Sequence, residues 1–230
     1  LSSHLAMPRV GHLEAVYNIF GYISKYLEST LVFDDKDVSA PESAFVHGDW
    51  SESVYGDNPE ELPGNMPEPL GYGVKMSVFV DADHAGDKVT RRSHSGKLLN
   101  LNNAPIDWYS KKQNTVESST FGSEFIAMRI ACDKIEALRY KLRMFGIPII
   151  GPTDVYCDNG SVVMCTQKVE GRLHKKHNAI CFHRVRECVA RAMIRVTKED
   201  GGTNLADLLT KLLDNMKRRI ILRSIFIKGG

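Results

Sequence analysis

Four carboxylates in this sequence stand where an apolar run stops or a helix begins. Asp81 ends the β-forming run Val78–Val80, and Asp83 follows on the same strand face. Glu124 lies in the first turns of a long helical pattern, Asp158 ends the run Val155–Cys157, and Asp207 opens another helical pattern. Each has an ordinary explanation. Asp83 and Gly86 suit a turn, Glu124 suits a helix dipole, Asp158-Asn159 suits a helix cap and Asp207 a first turn. Taken together they suggest more, because strand ends and helix starts on one side of an α/β sheet converge at a crevice. Four carboxylates there repel one another, and divalent cations offset that repulsion. Oxygen ligands without His or Cys select Mg²⁺ or Mn²⁺ over zinc. Two such ions about 4 Å apart form a phosphodiester hydrolysis site.

The elements that must position these acids can be read from periodicity. Lys75–Asp83, Ser93–Leu101 and Ile106–Lys111 read as three strands with short links, hence an antiparallel meander. Ser119–Phe145 reads as a long helix closed by Gly146 and Pro148. Strands at Val155–Cys157 and Met193–Thr197 follow, with helices at Ser161–Gln167, His174–Arg191 and Asn204–Leu213, and helix or tail over Lys217–Lys228. A meander feeding βαβ crossovers predicts a mixed sheet with helices on its faces. Trp108 and Tyr109 read as core and sheet packing.

Before the meander the chain changes character twice. Residues 10–30 carry Leu13, Val16, Ile19, Phe20, Ile23 and Leu27 at helical spacing, a stripe expected to pack into the core. Residues 34–75 hold ten acids, two lysines and five prolines. They read as an extended connector, with a short strand over Ala44–Trp50. The five cysteines form no CxxC pair, so reduced thiols are expected rather than disulfides. No apolar run approaches membrane-span length. The start LSSHLAMPRV has neither an initiator Met nor a signal-peptide pattern, so the chain reads as a fragment of a longer one.

The strings VDADHAGD, RRSHSG, PIDWYSKKQ, SSTFGSEFIAM, VYCDNGS, KKHNAICFHRVRE and LADLLTK, spread over residues 76–213, resemble the ribonuclease H domain of copia-like LTR-retrotransposon polyproteins. That family is a branch of type I ribonuclease H. The resemblance implies an α/β fold, a ribonuclease H-like mixed five-stranded sheet with three antiparallel strands, then βαβ units, and helices on both faces. It implies two Mg²⁺ ions, which Mn²⁺ can replace, held by Asp81, Glu124, Asp158 and Asp207. Asp81 and Asp158 match the bridging aspartates, Glu124 the helix glutamate and Asp207 the last aspartate, with Asp83 as runner-up ligand. Two departures stand out. The family's SSTEAEY reads SSTFGSEF here, leaving Glu124 alone near the helix start, and Val196–Asp207 lacks the loop histidine of cellular enzymes.

The implied activity is hydrolysis of the RNA strand of RNA–DNA hybrids during reverse transcription, leaving 5′-phosphate ends. The alternatives are a DNA-cutting nuclease of the same fold and a non-catalytic hybrid-binding or connection module. The implied organisation is a helical segment adjoining reverse transcriptase (1–35), the acidic connector (36–74), the ribonuclease H domain (75–215) and a tail (216–230). The implied partners are the hybrid and the reverse transcriptase of the same polyprotein, inside the cell, in cytoplasm or virus-like particles. For the substrate, residues 168–198 hold nine Lys or Arg against two acids, a pattern that suits a phosphate backbone. Lys175, Lys176, His177 and Arg184 come from that segment. Ser93, Ser119 and Asn159 are the polar candidates for sugar and phosphate contacts.

Overall fold

Alternation gives one strand an apolar face, Met76, Val78, Val80 and Ala82, and a mixed face where Phe79 stands between Ser77 and Asp81, and the sheet grows around it. In the computed structural model, which describes residues 5–34, 36, 40–56, 58–173 and 176–227, that strand is β2. The chain order is α1 (Val10–Lys25), β1 (Thr30–Leu31), β2 (Met76–Asp83), β3 (His94–Leu101), β4 (Ala104–Lys112), α2 (Thr120–Met144) and β5 (Thr153–Cys157). Then come α3 (Gly160–Gln167), α4 (Ala179–Ala190), β6 (Ile194–Lys198), α5 (Asn215–Ile225) and β7 (Phe226–Ile227). The main sheet runs β4-β3-β2-β5-β6, antiparallel over its first three strands and parallel over the last two pairings. This is the ribonuclease H-like mixed sheet expected from the sequence.

Both faces are covered. On one, Val78, Val80, Phe125, Met128, Ile135 and Val155 form a core under α2, α3 and α4. On the other, Phe79 and Leu98 meet Leu205, Leu208, Ile221 and Ile225. Ser119 caps the start of α2 by accepting from the Gly122 amide, and Gly146 at φ 71° takes the left-handed position just beyond the helix. Among the described residues no helix is long and apolar enough to cross a membrane, and all five cysteines are free thiols.

The structure corrects four local expectations. α1 ends at Lys25 and buries none of its residues, so Leu13, Ile19, Phe20 and Ile23 face outward rather than into the core. α5 already covers the apolar sheet face that α1 would need. The helix expected over Asn204–Leu213 is only a 3-10 turn, Leu205–Leu209, and the regular helix starts later, at Asn215. No strand forms over Ala44–Trp50; a 3-10 turn, Glu42–Ala44, precedes Phe45 and Trp50, which bury their rings. Trp108 is 58% exposed because β4 is the edge strand.

Side chains hold the described residues of the acidic connector against the domain as a belt. Its Ala40 amide donates to the Tyr156 hydroxyl, and its Ala44 carbonyl accepts from Thr197. Arg195 pairs with Asp154 and Glu42 while stacking on the Phe45 ring. Glu60 receives both Arg139 and Arg143 of α2, at 2.7 and 2.6 Å. Burial pushes the Glu60 carboxyl up, but the Arg143 and Arg139 guanidiniums outweigh burial and hold it at about 2.

That clamp has a measurable signature. A carboxylate depressed in the folded state contributes stability above its ordinary pKa near 4.5, and loses it as pH falls toward 2. Glu60→Gln leaves Arg139, only 4% exposed, without its charge partner. It should cost about 3 kcal/mol at pH 7. Urea denaturation should show the gap between wild type and variant closing between pH 5 and pH 2.

Candidate functional site

Parallel pairing of β2 with β5 sets Val80 opposite Cys157, so Asp81 and Asp158 leave the sheet side by side. Asp207 arrives from the opposite direction. Asn204, fully buried, donates its side-chain amide to the Val80 carbonyl at 3.0 Å and caps the 3-10 turn by accepting from the Ala206 amide. One residue thereby ties the turn to the strand next to Asp81. Gly96, opposite Asp81 on β3, makes the approach possible: a Cβ there would lie 2.6 Å from the Thr210 methyl and 3.0 Å from the Ala206 carbonyl. Glu124 enters from the first turns of α2, which packs over β2.

All four predicted acids meet. Oxygen atoms of Asp81, Asp158 and Asp207 lie within 4.8 Å of one another, as do ligand atoms of Glu124, Cys157 and Asp158. Asp81, Glu124 and Asp207 are buried. Burial is the main reason Asp81 is raised to about 6, against the lowering effect of Thr210 and Lys211. Burial, then the charges of Asp81 and Asp158, raise Glu124 well above the ordinary range. The Ala82 amide hydrogen-bonds to Glu124, yet its Oε2 is buried without a hydrogen-bond partner. Burial pushes the Cys157 thiol up as well, so it stays protonated and offers no thiolate.

Cations hold one half of this cluster. The Lys211 ammonium donates to Asp81 Oδ1 at 2.9 Å and to Asp207 Oδ1 at 3.0 Å. Lys217 of α5 donates to the other Asp207 oxygen, and the Thr210 hydroxyl donates to Asp81 Oδ2. Among the described residues, no Lys, Arg or His pairs with Glu124 or Asp158. Oxygen donors of this kind, with one buried oxygen orphaned, fit a hard divalent cation.

No family model matches this chain. It is 34% identical over 145 residues to the retrovirus-related Pol polyprotein from transposon RE1 of Arabidopsis thaliana, covering 62% of this chain and 10% of that protein. It is 31% identical over 157 residues to the corresponding RE2 polyprotein of the same plant, covering 67% of this chain and 11% of that protein. Both relatives are retrovirus-related Pol polyproteins from transposons. The chain spans about a tenth of the length of these relatives. Among solved structures, LC11-RNase H1 in complex with RNA/DNA hybrid is 14% identical, with a TM-score of 0.48, covering 59% of this chain and 94% of its own.

The other candidate residues are distributed unevenly. Ser93 is buried and its hydroxyl accepts from the Ala85 amide, bracing the turn after β2. Ser119 and Asn159 cap α2 and α3, at the starts of the helices that follow β4 and β5. Asp83 ends β2 with its carboxylate against Gly86 and belongs to neither group of converging ligand atoms. Lys176 is exposed; Lys175 lies outside the described residues, as does the side chain of His177. Arg184 reaches α2, where it pairs with Asp133 and Glu136.

The basic segment is therefore partly internal. Arg186 donates to the carbonyls of Cys165, Lys168 and Val169 and stacks on Trp50, and Arg191 pairs with Glu187. With Arg184 and Arg195, four of the nine basic residues serve the fold. Sequence reasoning missed Asn204, Thr210, Lys211, Lys217 and Gly96. For Asn204, Thr210 and Lys211 the only signal was proximity to Asp207 in the string NLADLLTK, for Gly96 a glycine inside a strand, and for Lys217 there was none.

The strain of this cluster should be visible in stability. A carboxyl raised in the folded state imposes its full penalty above its folded pKa and none below the ordinary carboxylate range. With Asp81 near 6 and Glu124 raised too, the metal-free protein should lose stability as pH climbs from 4 to 8. Glu124→Gln removes one of the charges. In EDTA at pH 8 its Tm should exceed that of wild type by about 3 °C or more, with a smaller gap at pH 5. Equal Tm values at pH 8 would refute this account.

Proposed function

We propose that this chain carries the ribonuclease H activity of a retrotransposon Pol polyprotein, hydrolysing the RNA strand of RNA–DNA hybrids. The observation that carries the reading is the convergence of Asp81, Glu124, Asp158 and Asp207, from four separate elements, on one locus with an orphaned buried oxygen. Relatedness to Pol polyproteins supports it, because a reverse-transcribing element makes hybrids that must be cleared. A decayed, non-catalytic module would have no reason to keep four mutually repelling carboxylates in register.

Asp81, Glu124, Asp158 and Asp207 would hold the divalent cations, Mg²⁺ in the reading favoured here, with Mn²⁺ as a substitute. When bound, such ions make water a competent nucleophile and stabilise the leaving oxygen. The chain's own contribution is to hold its acids in place before any ion arrives. β2 and β5 fix Asp81 and Asp158 through backbone pairing, Asn204 fixes the turn that carries Asp207, and α2 fixes Glu124. In the hydrolysis, water oxygen bonds to phosphorus, the P–O3′ bond breaks, and the products carry 5′-phosphate and 3′-hydroxyl ends. Ser119, Asn159, Lys175, Lys176 and His177 remain the proposed hybrid contacts, whereas Ser93 is fully buried and its hydroxyl is taken by the Ala85 amide. Arg184 is less suited, since its guanidinium already serves two carboxylates of α2. The reverse transcriptase region of the same polyprotein is the proposed partner.

The test is a fluorescent RNA–DNA hybrid in Mg²⁺, with DNA and RNA duplexes as controls. Wild type should cut only the hybrid. Asp158→Asn should lose cleavage by at least about 100-fold, while fluorescence anisotropy still detects hybrid binding. Cleavage of duplex DNA would favour a DNA-cutting nuclease, and full activity in Asp158→Asn would sink the site assignment.

A further inference from the structure

The two halves of the acidic cluster differ in a way that the shared residue types do not explain. At Glu124 and Asp158 no ammonium or guanidinium makes a salt bridge among the described residues, Lys211 reaching Glu124 only through its charge, and one buried oxygen has no hydrogen-bond partner. Between Asp81 and Asp207 an ammonium bridges one oxygen of each, 2.9 and 3.0 Å away. This is the arrangement of a cation site, with the cation supplied by the chain. Lys211 reaches it because it lies one turn beyond Asp207, and the intervening Thr210 hydroxyl anchors the same stretch to Asp81. Its side chain is 35% exposed, so an open path to solvent remains.

We propose that Lys211 is a built-in counter-ion: it holds the Asp81–Asp207 half closed in the metal-free protein, and a divalent cation enters that half only by displacing it. This rests on the metal-dependent reading above and adds a ranking of the two ion positions. The Glu124–Asp158 half accepts its cation without displacing anything, so it fills first. The Asp81–Asp207 half is weaker by the free energy of breaking two charge-assisted hydrogen bonds. The flexible four-carbon stem of lysine lets the ammonium withdraw without moving the backbone. Occupancy of the second position, and with it any reaction that needs both ions, would then depend on free cation concentration in a way Lys211 sets.

The experiment is Mn²⁺ titration of the whole chain, read by electron paramagnetic resonance and calorimetry. Wild type should show two unequal sites. Lys211→Met, of similar length but uncharged, should tighten the weaker site by about tenfold and leave the tighter one nearly unchanged. Lys211→Arg, which restores a cation, should keep the wild-type weakness. Wild-type binding at two sites with no gain in Lys211→Met overturns the counter-ion and leaves the metal-dependent reading intact. No Mn²⁺ binding by wild type overturns both. Should Lys211→Met not fold, wild type labelled with ¹³C at the lysine Cε decides. On Mg²⁺ saturation the Lys211 signal should move to the position of solvated lysines, and a signal that stays in place overturns the proposal.

Discussion

Like-charge repulsion among Asp81, Glu124, Asp158 and Asp207 is the constraint on which the rest of this structure depends. Two unit charges about 5 Å apart, at an effective dielectric constant near 20, repel by about 3 kcal/mol. A domain's whole stability is only about 5–15 kcal/mol. Several such pairs could not be held unless something opposed them. The chain opposes them in two ways. Lys211, Lys217 and the Thr210 hydroxyl neutralise or solvate the Asp81–Asp207 half. Burial favours the protonated forms of Asp81 and Glu124. The chain's own cations and the protonation of its buried acids thus hold the cluster together.

Rigid elements convert that tension into geometry. Backbone pairing between β2 and β5 leaves Asp81 and Asp158 no freedom to move apart, because the strands cannot slip without turning their apolar faces outward. The third acid is set differently. The 3-10 turn that carries Asp207 is too short to hold its own position, and it borrows one from Asn204 and from the space left by Gly96. α5 then covers the turn with Ile221 and Ile225 and delivers Lys217. Two acids are therefore placed by the sheet, one by a helix face and one by a side-chain tether.

Much of this was legible in the sequence. The five main strands and the long helix announce themselves by period, and the acids by standing at the ends of apolar runs. What was not legible had one common cause: long-range polar contacts leave no periodic trace. Nothing local marks Asn204 as the partner of the Val80 carbonyl, or Lys211 as the partner of Asp81, 130 positions away. A run of arginines reads as a basic surface, whereas Arg184, Arg186 and Arg195 turn toward acids and carbonyls supplied from elsewhere in the chain. The stripe on α1 is real as a pattern, but pattern alone does not say whether the face it makes will find a partner.

The belt has a consequence for assembly. Its contacts close long loops: Ala40 to Tyr156 spans 116 residues, Glu42 to Arg195 spans 153, and Glu60 to Arg139 spans 79. Loop-closure entropy is lost before such contacts return anything, whereas β2, β3 and β4 pair through short links. The expected order is the meander and α2 early, β5 and β6 next, and the belt last. Until it closes, Arg139, Arg186 and Arg195 lack their ring or carboxylate partners on the belt. The final step of folding then combines burial of the Phe45 and Trp50 rings with closure of the ion pairs, and salt should weaken only the second part.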